Sequence, residues 1–365
     1  MLSSQAGAAR LRFTDDFEKG LDRWEITGEG GAFVQESGDP VHRKVLVLRP
    51  QGDVLALVRG SDRWGSVAIE GDVRFPGPEN SYLGVAYNCR RKGDRFDFGL
   101  IYIKGNGSYL LPNPHRDFNV SRLLYEEYRT PLEGDAAVRI DEWQRFKMEV
   151  VGREAHVYVG PGTTPQLTFP LFEFDSGELG LQPRSVGGDV WVDNVSVSSI
   201  DKFSYAGPAR PMQFQYDPEA LLTAWEVAGP MASTDDGLAR DPDSYPDAWR
   251  RFETDGRGAV ITGRVTDYHG PDAVAYFRAR VVTDVSGSAV LNISTVDDLA
   301  LWVNGRFQWF IPRSDHAWYD FWRNPAHDGQ HIPVQLMSGS NDIIVRVRGG
   351  VYASGGFYAW LEKRR

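Results

Sequence analysis

The chain has 365 residues, 41% hydrophobic and 25% charged, with a formal net charge of −10. That length fits about two domains. The acidic balance, without a long basic run, argues against a nucleic-acid partner, because phosphate binding needs a basic surface.

Residues 1–10 lack a basic segment followed by a long apolar core, so they do not read as a complete signal peptide. No apolar run approaches the roughly 20 residues that span a bilayer, so no membrane insertion is expected. Phe13 and Phe17 then read as apolar anchors around a polar turn. Residues 45–48 and 54–58 are short apolar strand candidates, linked by the turn Gln51-Gly52-Asp53. Residues 67–75 alternate cleanly, with Val67, Ile69, Gly71, Val73 and Phe75 on one face. Pro76-Gly77-Pro78 stops that strand. Further strands begin at Leu83 and Phe96, the latter followed by an Asn106-Gly107 turn. Residues 145–151, 155–159, 177–181 and 190–197 continue the series. The nearest approach to a helical stripe, 120–128, is short. The single cysteine, Cys89, cannot form an internal disulfide and reads as a buried small hydrophobe. Many short strands with Gly and Pro turns predict a sandwich. The lack of crossover helices excludes a parallel α/β sheet.

Periodicity fades over 198–218, where Pro208 and Pro211 mark a linker or an extended strap. Residues 221–231 follow, with Trp225, Val227 and an expected Gly229-Pro230 turn. Residues 258–261 and 273–282 read as strands. In 288–306 alternation runs to Thr295, Asp297-Asp298 punctuates it, and Leu299, Leu301 and Val303 resume the apolar face. Asn304-Gly305 closes the run with a hairpin signal, since both residues tolerate positive φ. Strands at 332–337, 343–348 and 357–361 complete a second sandwich. The fold class is therefore all-β, with two β-sandwich (jelly-roll) domains. Their expected bounds are 11–200 and 220–365, with a linker over 201–219.

The motifs Asp15-Asp16-Phe17-Glu18 with Trp24, residues 143–150, Gly180-Leu181 and residues 192–197 carry a resemblance. Over 12–198 the chain resembles the concanavalin A-like lectin/glucanase jelly rolls. It is most similar to the branch holding laminin-G-like modules and hydrolases described as acting on 3-keto glycosides. The Glu-x-Asp-x-x-Glu strand of that family's β-glucanases is absent, which sets aside their retaining mechanism. The resemblance implies a structural Ca²⁺ where the first and last strands meet, with Asp16, Glu18 and Asp193 as the matching acids. Such a hard cation takes several oxygen ligands. The same acids also read as turn caps paired with arginines. Residues 220–362 resemble galactose-binding-like and PA14-like sandwiches, through 225–230, 295–305 and 336–347. Ser340 stands where that pattern has an aromatic. Asp297 and Asp298 match paired acids that related modules use for calcium or sugar, and read equally as a polar turn. Both resemblances imply a glycan ligand and an extracytoplasmic or secreted location.

Sugar sites combine aromatic faces with groups that read hydroxyls. The chain holds 11 Trp, 15 Tyr and 19 Phe, enough either to fill sandwich cores or to line such a face. Two stretches qualify. The first gives Arg95, Asp97, Tyr102 and Lys104, in which Tyr102 and Lys104 share one face of a strand, as do Arg95 and Asp97. A solvated polar hairpin is the other reading. The second, 307–331, gives Trp309, Trp318 and Trp322, as a buried insertion or as a ligand wall. His327 and His331 lack the Glu of a helical zinc motif. Absence of a Gly-x-Ser-x-Gly elbow, P-loop or dinucleotide fingerprint leaves no nucleotide cofactor to expect. Glycoside hydrolysis needs two converging carboxyl groups, which spacing alone does not pick out. The expectation is carbohydrate binding by a non-catalytic two-module protein. The alternative is a glycoside hydrolase working at a jelly-roll face or between the domains.

Overall fold

Alternation sets the first unit. In a computed structural model, Val67–Arg74 buries every second residue and leaves the others half-buried. Residues 9–28, 31–50, 52–116, 121–122, 128–171, 176–184, 187–208, 221–232, 248–254, 258, 260–266, 273–295, 297–312, 330–348 and 356–363 are described. They are almost entirely strand, with one four-residue helical turn at Thr262–Val265 and short 3-10 turns. No helix among them is long and apolar enough to cross a membrane. The chain divides into two compact units, the first ending at Pro211 and the second beginning at Met212, except that 121–127 group with the second. The expected all-β class, as two sandwiches, is what the chain adopts.

In the first unit one sheet runs in the order Leu167–Pro170, Glu154–Val159, Gln144–Val151, Val67–Arg74, Val190–Ser199, Lys44–Arg49, Gly31–Glu36. Arg10–Asp15 also pairs with Val190–Ser199, so the first and last strands of the unit are neighbours. The other sheet runs His115–Arg116, Arg95–Lys104, Tyr82–Lys92, Glu178–Pro183, Leu55–Val58, Trp24–Thr27, with Tyr109–Pro112 also on Arg95–Lys104. Gly71 sits opposite Phe146. A Cβ there would lie 3.1 Å from the Phe146 ring, so glycine is what lets that ring cover the strand.

Phe13 and Phe17 are anchors, as expected. Phe17 is fully buried, and Phe13 meets the Trp24 ring edge-on at 5.4 Å. The carboxylate of Asp15 organises the turn between them, accepting the Phe17 N–H and the Trp24 indole N–H, both at 2.9 Å.

In the second unit one sheet runs Arg250–Glu253, Ala224–Ala232, Ala273–Thr283, Gly339–Arg348, Asp298–Val303, Arg306–Ile311. The other runs Val260–Ile261, Gly356–Lys363, Gly287–Thr295, Gln330–Leu336. Leu291, Ile293, Leu301, Val345 and Phe357 are among its fully buried core residues. Gly229-Pro230 does not turn the chain. It lies inside Ala224–Ala232, where the register shifts between Ala228 and Met231, so the irregularity is absorbed as a bulge. The Asn304-Gly305 hairpin forms as expected, with φ of 51° and 73°. Asn304 then donates to the Asn341 side-chain oxygen at 2.8 Å, and Asn341 is wholly buried. Asp298 opens a strand and accepts two bonds from the Arg348 guanidinium.

Candidate functional site

The strand Arg95–Lys104 carries the feature that stands out. Residues paired directly across a sheet share a face. Tyr82, Lys104 and Tyr109 form one such row, and Gln182, Gly84, Tyr102 and Leu111 the next. The opposite face of the same strands carries Leu83, Val85, Ile101, Ile103 and Leu181, all buried. One face is thus an ordinary aliphatic core. The other carries phenols, an amine and an amide beside Gly84 and Leu111.

The Tyr82 and Tyr102 rings stack at 4.4 Å and 15°, and Tyr109 leans on Tyr102 at 6.0 Å. Lys104 is 7% exposed and its amine donates to the side-chain oxygen of Asn80. The Arg129 guanidinium lies 4.1 Å over the Tyr109 ring. Burial, then Arg184 and Arg129, lower the Lys104 amine to about 8. Gln182 is 1% exposed, and among the described residues its side-chain oxygen has no hydrogen-bond partner. Further along the strand His115 stacks on Phe98 and meets the Asn113 side-chain oxygen at 3.0 Å. A flat aromatic patch beside amine and amide groups can cover the apolar face of a sugar ring and read its hydroxyls.

The sequence-derived candidates are distributed as follows. Tyr102 and Lys104 fall together on this face. Arg95 and Asp97 lie on the other face of the strand, Arg95 exposed and Asp97 half-buried. Asp97 is also about 23 Å along the strand from Lys104, at roughly 3.3 Å per residue. Trp309 stands on the edge strand Arg306–Ile311 of the second unit, 50% exposed. Trp318 and Trp322 lie outside the described residues. Sequence reasoning missed Tyr82, Tyr109, Asn80, Gln182, Arg129 and Arg184. Only Tyr82 left a local signal, two positions before Gly84 in an alternating run.

At the seam of the first and last strands a groove of about 610 Å³ is lined in part by Asp15, Asp16, Asp22 and Asn194. Asp16 accepts the Glu18 N–H there, and Glu18 pairs with Arg43 at 3.3 Å. Asp193 is buried, bonded to His42 Nδ1 at 2.9 Å and accepting the Asn194 N–H. Burial raises the Asp193 carboxyl from its ordinary value, against the pull of those two bonds. Among the described residues no three His, Cys, Asp or Glu side chains gather as a metal-binding group.

No family model matches the chain, and no curated protein matches it. Solved structures do. The chain is similar to carbohydrate binding module CBM66 from Bacillus subtilis, at 14% identity over 49% of this chain and 94% of that one, with a TM-score of 0.34. It is similar to the cellulose-induced protein Cip1 at 13% identity over 52% and 97%, with a TM-score of 0.37. A glycoside hydrolase family 16 endo-glucanase from Bacteroides ovatus matches at 11% identity over 51% and 99%, again with a TM-score of 0.37.

Proposed function

We propose that the chain binds carbohydrate, and that the Tyr82–Tyr102–Tyr109 face of the first unit is where it does so. The observation that carries this reading is the contrast between the two faces of Arg95–Lys104. Both sides are buried over 98–104, yet one side carries stacked phenols with Lys104 and Gln182 where the other carries aliphatics. The two strand rows of that face supply amine, amide and phenol groups. Carboxylate-pair hydrolysis needs two acids, so the composition favours binding over cleavage.

The test is calorimetric titration of the full chain with a panel of oligosaccharides, beside a Tyr109→Ala variant. Tyr109 is only half-buried, so its loss spares the core. We expect at least one glycan to bind without release of sugar, and Tyr109→Ala to weaken it about tenfold, equivalent to ~1.4 kcal/mol. Unchanged binding in Tyr109→Ala would move the site elsewhere, with Trp309 next to be substituted.

An extracytoplasmic location belongs to the same reading, and fractionation of a native host checks it. A structural Ca²⁺ at the strand seam is a separate proposal that rests on Asp16, Glu18 and Asp193. A rise in melting temperature with Ca²⁺ over EDTA, lost in Asp16→Asn, would support it, and identical melts would remove it.

A further inference from the structure

We infer that Asn106 is a self-modifying site, converted to an acid beside the tyrosine face when the Gly107 backbone nitrogen attacks its side chain and expels ammonia. The chemistry stands apart from the carbohydrate reading, and only its effect on binding rests on that reading.

The chain holds two Asn-Gly pairs, 106–107 and 304–305. Asparagine is among the thermolabile residues. A following glycine exposes it most, because no Cβ shields the next backbone nitrogen. That nitrogen forms a bond to the asparagine Cγ, and the bond from Cγ to the side-chain nitrogen breaks. Ammonia leaves with the proton that the backbone nitrogen gives up. Water then opens the succinimide at either carbonyl, leaving aspartate or isoaspartate. Water is the only other reactant. The amide carbon must swing onto the nitrogen, so the fold decides which pair reacts.

Asn304 is held. Its side-chain nitrogen donates to Asn341 Oδ1 at 2.8 Å, its side-chain oxygen accepts the Asp342 N–H at 3.0 Å, and its own N–H donates to the Asp342 carbonyl at 2.8 Å. Moving that amide onto Gly305 breaks both side-chain bonds. Asn106 is the reverse case. It and Gly107 are exposed, in the turn between Arg95–Lys104 and Tyr109–Pro112. The turn is pinned on either side. The Gly105 N–H donates to the Ser81 carbonyl at 3.0 Å, and the Ser108 hydroxyl donates to the Leu132 carbonyl at 2.8 Å. Between the pins, among the described residues, no hydrogen bond engages the Asn106 side chain or the Gly107 N–H.

The tyrosine face explains why a glycine stands there. A Cβ on Gly107 would lie 2.7 Å from the Tyr109 ring and 3.3 Å from Lys104 Cγ. Glycine lets the turn close on those two side chains, so the reactive pair comes with the face. Conversion sets a carboxylate beside them. The isoaspartyl form also adds a carbon to the main chain between the two pins.

The experiment holds the full chain in mildly alkaline buffer, folded and in urea, and weighs its peptides over time for the exchange of NH for O. Enzymatic methylation scores isoaspartate. In the folded chain, conversion at 106 should run at least about tenfold faster than at 304, a barrier difference of ~1.4 kcal/mol. In urea the two rates should converge, since the bonds that hold Asn304 are gone. Asn106→Ser should remove the product that the folded chain forms. Conversion at 304 as fast as at 106 in the folded chain would overturn the inference, and so would a folded chain that stays unconverted at 106. With a glycan whose binding Tyr109→Ala weakens, the converted chain should bind less tightly than the fresh one. Equal affinity would overturn the placement of the site against that face. Failure of every glycan to bind would remove the carbohydrate reading alone, and the peptide masses would still decide this one.

Discussion

Single buried polar groups carry the clearest consequences at the scale of residues. Asp15 is 9% exposed and satisfies two donors, one of them on Phe17, whose φ is 55°. Bulky residues avoid that region unless something holds them there. Asp15→Ala is expected to cost the first unit about 2–4 kcal/mol, since two charge-assisted bonds go and two donors are orphaned. Asp15→Asn should recover part of that, because one of its two positions becomes a donor facing a donor. Urea denaturation ranks the three proteins. Arg346 is the opposite case. It is 5% exposed, paired in register with Tyr276 and Ala300, and among the described residues its Nε has no hydrogen-bond partner. A buried guanidinium with an unsatisfied nitrogen pays part of its desolvation cost uncompensated, and replacing buried charged groups by apolar residues of similar volume is often neutral or stabilising by about 1–4 kcal/mol. Arg346→Met is therefore expected to hold or raise the melting temperature. A clear drop in a thermal melt would show that the guanidinium supports the sheet.

Among elements, the stretch after residue 200 shows how a strap is fastened. Glu149 is 3% exposed and gathers Lys147 Nζ, the Tyr158 hydroxyl and the Ser204 N–H at 2.9, 2.9 and 3.0 Å. Phe203 stacks on His156 at 3.6 Å. Burial pushes the Glu149 carboxyl up, but the bonds from Ser204, Lys147 and Tyr158 together hold it below the ordinary 4.5. A carboxylate depressed in this way adds stability above 4.5, its value in the unfolded chain, and that stability is lost as pH falls through the lower folded value. Glu149→Gln should cost about 1.5–3 kcal/mol at neutral pH. The gap to the parent should narrow in urea melts below pH 4.5. A gap that stayed constant with pH would mean that charge is not what fastens the strap. Much of this level is legible in the sequence. Strand 67–74 and the Asn304-Gly305 hairpin follow from side-chain alternation and turn chemistry, which are local. Parity within 95–104 also places Tyr102 with Lys104. Register is different. Tyr82, Tyr109 and Gln182 reach that pair only through strand partners distant in sequence, so the face cannot be read from any one stretch. The Gly229-Pro230 bulge escapes for a related reason, because pairing on both sides keeps the strand going through a turn-forming dipeptide.

For the whole molecule, the decisive fact is that each unit closes its own core. Leu57, Val85, Ile101 and Phe146 are buried in the first, and Leu291, Leu301, Val345 and Phe357 in the second. Separate cores predict separate cooperative transitions. The single cysteine makes this measurable. Cys89 is 2% exposed on Tyr82–Lys92, in the first unit, and burial together with Glu178 raises its thiol well above 9.0. A thiol that is both covered and protonated should resist a thiol reagent until the first unit opens. Leu301→Ala, in the second core, should destabilise its own unit by about 2–5 kcal/mol. It should shift part of the tryptophan fluorescence transition in urea and leave the midpoint of Cys89 labelling in place. Leu57→Ala should move that midpoint. If Leu301→Ala moves it as well, the two cores unfold as one cooperative body, and binding at the tyrosine face would then report on the stability of the entire chain.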